Sequence, residues 1–91
     1  MPTKVISVGT TQVLALDSDS KRSIVSIANN HASAVVYWAQ IGDVATTTGF
    51  PIFPTTIQTL SPLFGDDPTK QIWLISDTLA TDVRICWEIK K

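Results

Sequence analysis

A chain of 91 residues with one cysteine, one histidine, one glutamate and seven lysines and arginines has already given up several kinds of chemistry. Cys86 alone closes no internal disulfide and no Cys-ligated zinc site, so no covalent or metal staple is expected. His31 is the one side chain able to act as a base near neutrality. It stands in Asn29-Asn30-His31-Ala32-Ser33 with no Ser, Cys or Asp nucleophile pattern around it, and reads as a turn residue. Arg22, Arg84 and five lysines are dispersed and the net charge is -1, so no basic patch exists to neutralise phosphates and nucleic acid is not an expected partner. Glu88 has no glutamate to pair with, and nothing suggests the cleft and paired carboxyls of a glycosidase. The four glycines stand singly, which rules out a phosphate-cradling loop or a dinucleotide fingerprint. Asp66 and Asp67 are adjacent rather than spaced as in a calcium loop, and with Pro68 they read as a turn. No catalytic residue, cofactor or metal is therefore expected. No apolar run reaches membrane-spanning length, and Met1-Pro2-Thr3-Lys4 leads into too short an apolar segment for a signal peptide, so the expected place of synthesis and assembly is a cytoplasm, with no membrane partner.

What the chain has in abundance is β-branched residues. Ile, Val and Thr supply 30 of the 91 positions; these side chains lose freedom in helices and pack well on a pleated surface. Strand-like runs fall at about 3–8, 11–16, 22–29, 34–41, 56–60, 71–76 and 82–89. Turn chemistry separates them at Gly9-Thr10, Asp17-Ser18-Asp19-Ser20, Asn29 to Ser33, Gly65 to Thr69 and Asp77 to Thr81. The connection from Asn29 to Ser33 reads as hairpin-like. The stretch from Gly42 to Pro54 is irregular, and its prolines restrict any strand there to a sheet edge. One all-β domain over 1–91 follows: an antiparallel β-sandwich or barrel, jelly-roll-like, of about seven short strands.

The last run is the clearest. Val83, Ile85, Trp87 and Ile89 alternate with Asp82, Arg84, Cys86 and Glu88, the pattern of a half-buried antiparallel strand. Cys86 then falls on the outward face, with no cationic neighbour to activate its thiol. In contrast, Ala34 to Ala39 and Ile72 to Ile75 are apolar on both faces. A domain this small has one interior, so the second faces of those strands are expected to meet another subunit or another protein. Composition argues the same way: 16% charged residues and a mean hydropathy of +0.19 leave few charges for covering a monomer. Size scaling gives about 5,000 Å² of folded surface against about 14,000 Å² unfolded. The resulting burial, about 140 kcal/mol, roughly equals the ordering entropy of the chain, so further burial between subunits would help. The expected interface residues are Tyr37, Trp38, Trp73 and the loop aromatics Phe50 and Phe53. Phe64 shares their loop setting, and Trp87 is expected in the core.

Several patches together carry a family resemblance. They are Arg22-Ser23-Ile24-Val25-Ser26-Ile27-Ala28-Asn29-Asn30, Ala34 to Ala39, Gly49-Phe50-Pro51-Ile52-Phe53-Pro54, Ile72 to Ser76 and Asp82 to Ile85. An Arg opens a strand that ends in Asn, an aromatic strand follows, and a Gly-x-Pro-x-x-Pro loop precedes the last strands. Over about residues 10–89 the chain resembles the small β-sandwich accessory proteins of tailed-phage and related virus particles. It departs from them at Trp38-Ala39, where a smaller apolar residue and then Gly would stand, and in the longer stretch from Gly42 to Gly49. The resemblance implies a virion structural protein without catalytic activity, a decoration, cement or fibre-base component that forms homo-oligomers, trimers by preference, and docks on a capsid or other virion protein. Its expected location is the virion, assembled in the host cytoplasm. The other reading of the same aromatics is a small carbohydrate- or receptor-binding module, in which Trp38 or Trp73 would face solvent beside Asp or Asn.

Overall fold

Alternation of apolar and polar residues becomes eight strands in the computed structural model, which describes residues 2–40, 42, 45, 48–61 and 67–89. In chain order they are β1 (Thr3–Val8), β2 (Val13–Leu16), β3 (Arg22–Asn29), β4 (Val36–Ala39), β5 (Phe50–Ile52), β6 (Ile57–Leu60), β7 (Ile72–Ser76) and β8 (Thr81–Ile89). No helix occurs among the described residues. The strands form two antiparallel four-stranded sheets, ordered β1-β8-β3-β6 and β2-β7-β4-β5. We refer to them as sheet A and sheet B. Chain neighbours lie side by side only in β4 and β5; every other connection crosses between sheets. Two four-stranded sheets wound in this order form a jelly roll.

The expected all-β sandwich is thus present, with one strand more than the seven runs read from the sequence. The additional strand is β5, inside the proline-bearing stretch. Pro51 lies opposite Tyr37 at the outer edge of sheet B, where a strand bonds on one side only and tolerates a missing N–H. The expected hairpin at Asn29 to Ser33 is corrected: β3 belongs to sheet A and β4 to sheet B, so this segment is a crossover. The reason lies in Asn29, 1% exposed, whose side-chain amide donates to the carbonyls of Ala34 (2.8 Å) and Ile52 (2.9 Å) and so pins the end of β3 to the opposite sheet. Phe64, Gly65 and Asp66 lie outside the described residues.

Between the sheets sits a single apolar core. Sheet A contributes Val8, Val25, Ile27, Leu60, Val83 and Ile85; sheet B contributes Ala15, Leu16, Val36, Ile52, Ile72 and Leu74. Ile6, Val13, Trp38 and Trp87 pack against it from the rim. Val83, Ile85 and Trp87 of β8 therefore face inward as alternation requires, while Arg84 and Glu88 are exposed.

Two bulges adjust which residues face the core. Ser23 is the extra residue between Arg22 and Ile24 in the pairing of β3 with β8. In a regular strand Arg22 would share the outward face of Ile24; the bulge turns it inward, to 3% exposure. There its guanidinium donates to the carbonyls of Pro68 (2.7 Å), Asp17 (2.9 Å) and Lys70 (2.7 Å), tying two loops to one end of the sandwich. Burial draws its pKa below the ordinary arginine value, and the nearby charges of Asp19 and Asp17 oppose that shift. The second bulge, between Leu14 and Leu16, buries both Ala15 and Leu16. The Ala15 carbonyl accepts a hydrogen bond from Lys4 Nζ at 3.0 Å.

Candidate interaction surfaces

The five aromatic residues expected to form one interface separate into two groups, because β4 presents successive side chains to opposite faces of sheet B. Tyr37 and Trp73 lie on the outer face. Tyr37 is opposite Ile75 and Pro51, and Trp73 is opposite Ala39 and Leu14, so the two aromatic rings are diagonal neighbours across β4 and β7. Trp38 lies on the inner face with Val36 and packs against the core. Its ring centroid is 6.0 Å from that of Phe50, with the planes tilted by 42°. Trp38 Nε1 is buried without a hydrogen-bond partner among the described residues.

The outer face of sheet B is less open than its sequence implies. Ile75 is 9% exposed, and Trp73 is half-buried. Gly42, in the long connection after β4, lies against the indole: a Cβ added there would come within 3.2 Å of Trp73 Cζ2. Gln12 donates to the Gly42 carbonyl at 2.9 Å, while Trp73 Nε1 donates to Gln71 Oε1 at 3.1 Å. Part of the apolar excess expected to require a second subunit is thus covered within the chain. Gly42 was legible only as the start of an irregular stretch, because nothing in the local pattern shows that it meets a residue of a distant strand.

Exposure is concentrated elsewhere. Phe50 is 66% exposed, Phe53 60% and Ile57 67%, all within eight residues that run from the edge strand of sheet B to that of sheet A. The Phe53-to-Thr56 turn joining them is closed by Thr56 N–H donating to the Phe53 carbonyl at 3.2 Å, with Thr55 at a φ of 60°. Ile57 was absent from the expected interface although its signal was present: Leu60 must face the core, and alternation then places Ile57 and Thr59 outward.

No family model matches the chain, and no curated protein or solved structure is found similar to it. The chemistry of the surface must therefore be taken from its own groups. His31 Nδ1 accepts hydrogen bonds from the amides of Ser33 (3.0 Å) and Ala34 (2.9 Å), so the imidazole builds the crossover turn. Asp67 accepts from both the side chain and the amide of Thr69, which together hold its carboxyl below the ordinary carboxylate range. Asp82 accepts from Asn30 Nδ2 (2.9 Å) and Arg84 Nη2 (3.3 Å), and its pKa is lowered chiefly by the Asn30 bond and then by Arg84. Among the described residues no three of His, Cys, Asp and Glu converge as metal ligands would.

A hollow of about 320 Å³ lies on the outer face of sheet A, over Ser26, Ala28 and Cys86, with Thr3, Val5 and Arg84 beside it. Arg84 and Cys86 are the ionisable residues of its lining besides Lys4, whose side chain turns away to the Ala15 carbonyl, and the described lining holds no carboxylate to form an acid and base couple. Of the two tryptophans singled out for stacking on a ligand, Trp38 packs against the core from the rim and Trp73 has Gly42 against its indole.

Proposed function

We propose that this chain is a self-associating structural protein of a virus particle, a capsid decoration or cement component without catalytic activity. The observation that carries the reading is the run of Phe50, Phe53 and Ile57, each at least 60% exposed, on a domain whose one interior is already filled by its own two sheets. Large apolar side chains clustered at one side of a small domain mark a protein contact. The few charges of the chain and its resemblance to virion accessory proteins support the same conclusion. The partner is first another copy of this chain, in a cyclic homo-oligomer for which the resemblance favours a trimer, and then a capsid or other virion protein.

Light scattering on the purified chain at tens of micromolar tests the first part. The expected result is a mass several times that of one chain, reduced to one chain by Phe53→Glu. A monomer throughout that range overturns the reading. Electron microscopy of purified particles with mass spectrometry of their proteins tests the second part: particles that lack the chain would remove it from the virion.

A further inference from the structure

An unpaired strand edge is a template for another strand, and folded proteins blunt such edges with short strands, bulges, prolines or charges. The edge strands here are β1, β6, β2 and β5, and three of them are blunted. β5 has three residues with Pro51 in the middle. β2 is interrupted by its bulge at Ala15. β6 has four residues, and the Gln58 side chain turns onto the outward Thr59 carbonyl at 3.5 Å. β1 differs. It has six residues, no proline, no bulge, and exposed Thr3, Lys4, Val5 and Ser7. Lys4, its one charge, points between the sheets and engages the Ala15 carbonyl rather than guarding the edge.

The phase of β1 is set by Trp87 N–H, which donates to the Pro2 carbonyl at 3.1 Å. Hydrogen-bonded pairs alternate along an antiparallel ladder. Lys4, Ile6 and Val8 therefore turn their main-chain groups toward Ile85, Val83 and Thr81 of β8, and Thr3, Val5 and Ser7 turn theirs outward.

We propose that β1 pairs antiparallel with β1 of a second copy about a two-fold axis through Val5, joining two four-stranded sheets into one of eight. The outward residues are spaced evenly about Val5, so the edge is complementary to itself. Thr3 meets Ser7 of the partner subunit, Val5 meets Val5 of the partner subunit, and all the outward N–H and C=O groups of the three residues find partners. Val5, 68% exposed in one chain, is covered by its counterpart. Lys4 falls opposite Ile6 of the partner subunit, so no two lysines confront each other across the axis. The shared edge is about 20 Å long. A contact of that size belongs to the reversible class below about 1,200 Å², and pairing is therefore concentration-dependent. The inference rests on the self-association reading but uses the edge of sheet A opposite Ile57. A two-fold contact there would link rings formed through the Phe50 to Ile57 side into a continuous net.

The test is sedimentation of the full chain from tens to hundreds of micromolar, with amide hydrogen exchange on the same samples. Val5→Pro deletes an outward donor that β8 does not use, so it removes the pairing step and leaves the fold intact. In the wild type the Val5 and Ser7 amides should exchange about tenfold more slowly at the high concentration than at the low one. That measurement needs no variant, should Val5→Pro fail to fold. Association unchanged by a folded Val5→Pro, or free exchange at Val5 and Ser7 in an associated wild type, overturns β1 pairing and leaves the other surfaces standing. A wild type that never associates overturns both.

Discussion

At the scale of single residues, the polar side chains of this protein act mainly as ties between loops. Arg22 and Asn29 begin and end β3, each nearly fully buried, each spending its donors on carbonyls from other segments. Replacing Arg22 by Met leaves the carbonyls of Pro68, Asp17 and Lys70 without donors. The expected loss is about 3 kcal/mol in urea unfolding, because unpaired buried polar groups cost more than a paired bond contributes. Arg22→Lys should recover only part, since an ammonium lacks the planar fork that reaches three carbonyls at once. Asp82 provides a prediction in pH. Its carboxyl is held below its ordinary value in the folded chain, so the stabilisation is present above the unfolded value of about 3.9 and is lost as pH falls through the folded one. Denaturant unfolding between pH 5 and 2 should show this acid loss, and Asn30→Ala, by removing the leading hydrogen bond, should move the Asp82 titration upward in carboxyl-detected NMR. An unmoved titration would assign the shift elsewhere. The sequence shows Arg22 and Asn29 as strand ends but not as buried anchors: the Ser23 bulge that turns Arg22 inward leaves no mark in the alternation.

At the scale of strands, alternation was legible where one face is polar and ambiguous where neither is. β8 follows its pattern from Val83 to Glu88. Trp87→Ala should cost about 2–4 kcal/mol, somewhat less than a fully buried aromatic because Trp87 sits at the rim, while Glu88→Ala should cost under about 0.5 kcal/mol. Equal costs in thermal or urea unfolding would contradict the face assignment. β4 and β7 could not be assigned from pattern alone. Both faces of each are apolar, and what decides between them is the partner strand and residues distant in the sequence, as Gly42 on Trp73 illustrates. β5 was hidden for another reason: a strand of three residues containing proline has almost no periodicity to read, and only its place at the edge makes it possible.

For the molecule as a whole, the radius of gyration of 12.1 Å equals what a compact chain of this length should have, about 12 Å, and the body is elongated at 37 × 23 × 20 Å. The surface of 5201 Å² likewise agrees with size scaling. Composition was therefore a sound guide to class, layers and compactness, whereas the strand order, and with it the exposure of Phe50, Phe53 and Ile57 together, depends on pairings across the whole chain. Trp38 and Phe53 separate interface from core by experiment. Trp38→Glu places a charge against the core and should abolish the cooperative unfolding transition, whereas Phe53→Glu should leave that transition intact and lower the mass in light scattering. Unfolding by both substitutions would place Phe53 in the core as well.

The position of β8 between β1 and β3 governs how the chain acquires its structure. β1 and β3 share no ladder with each other and are joined through β8, so sheet A cannot close before β8 pairs with both. Closure of sheet A then depends on strands far apart in the sequence finding one another, and the folding rate should fall in the millisecond-to-second range of topologies dominated by distant pairings.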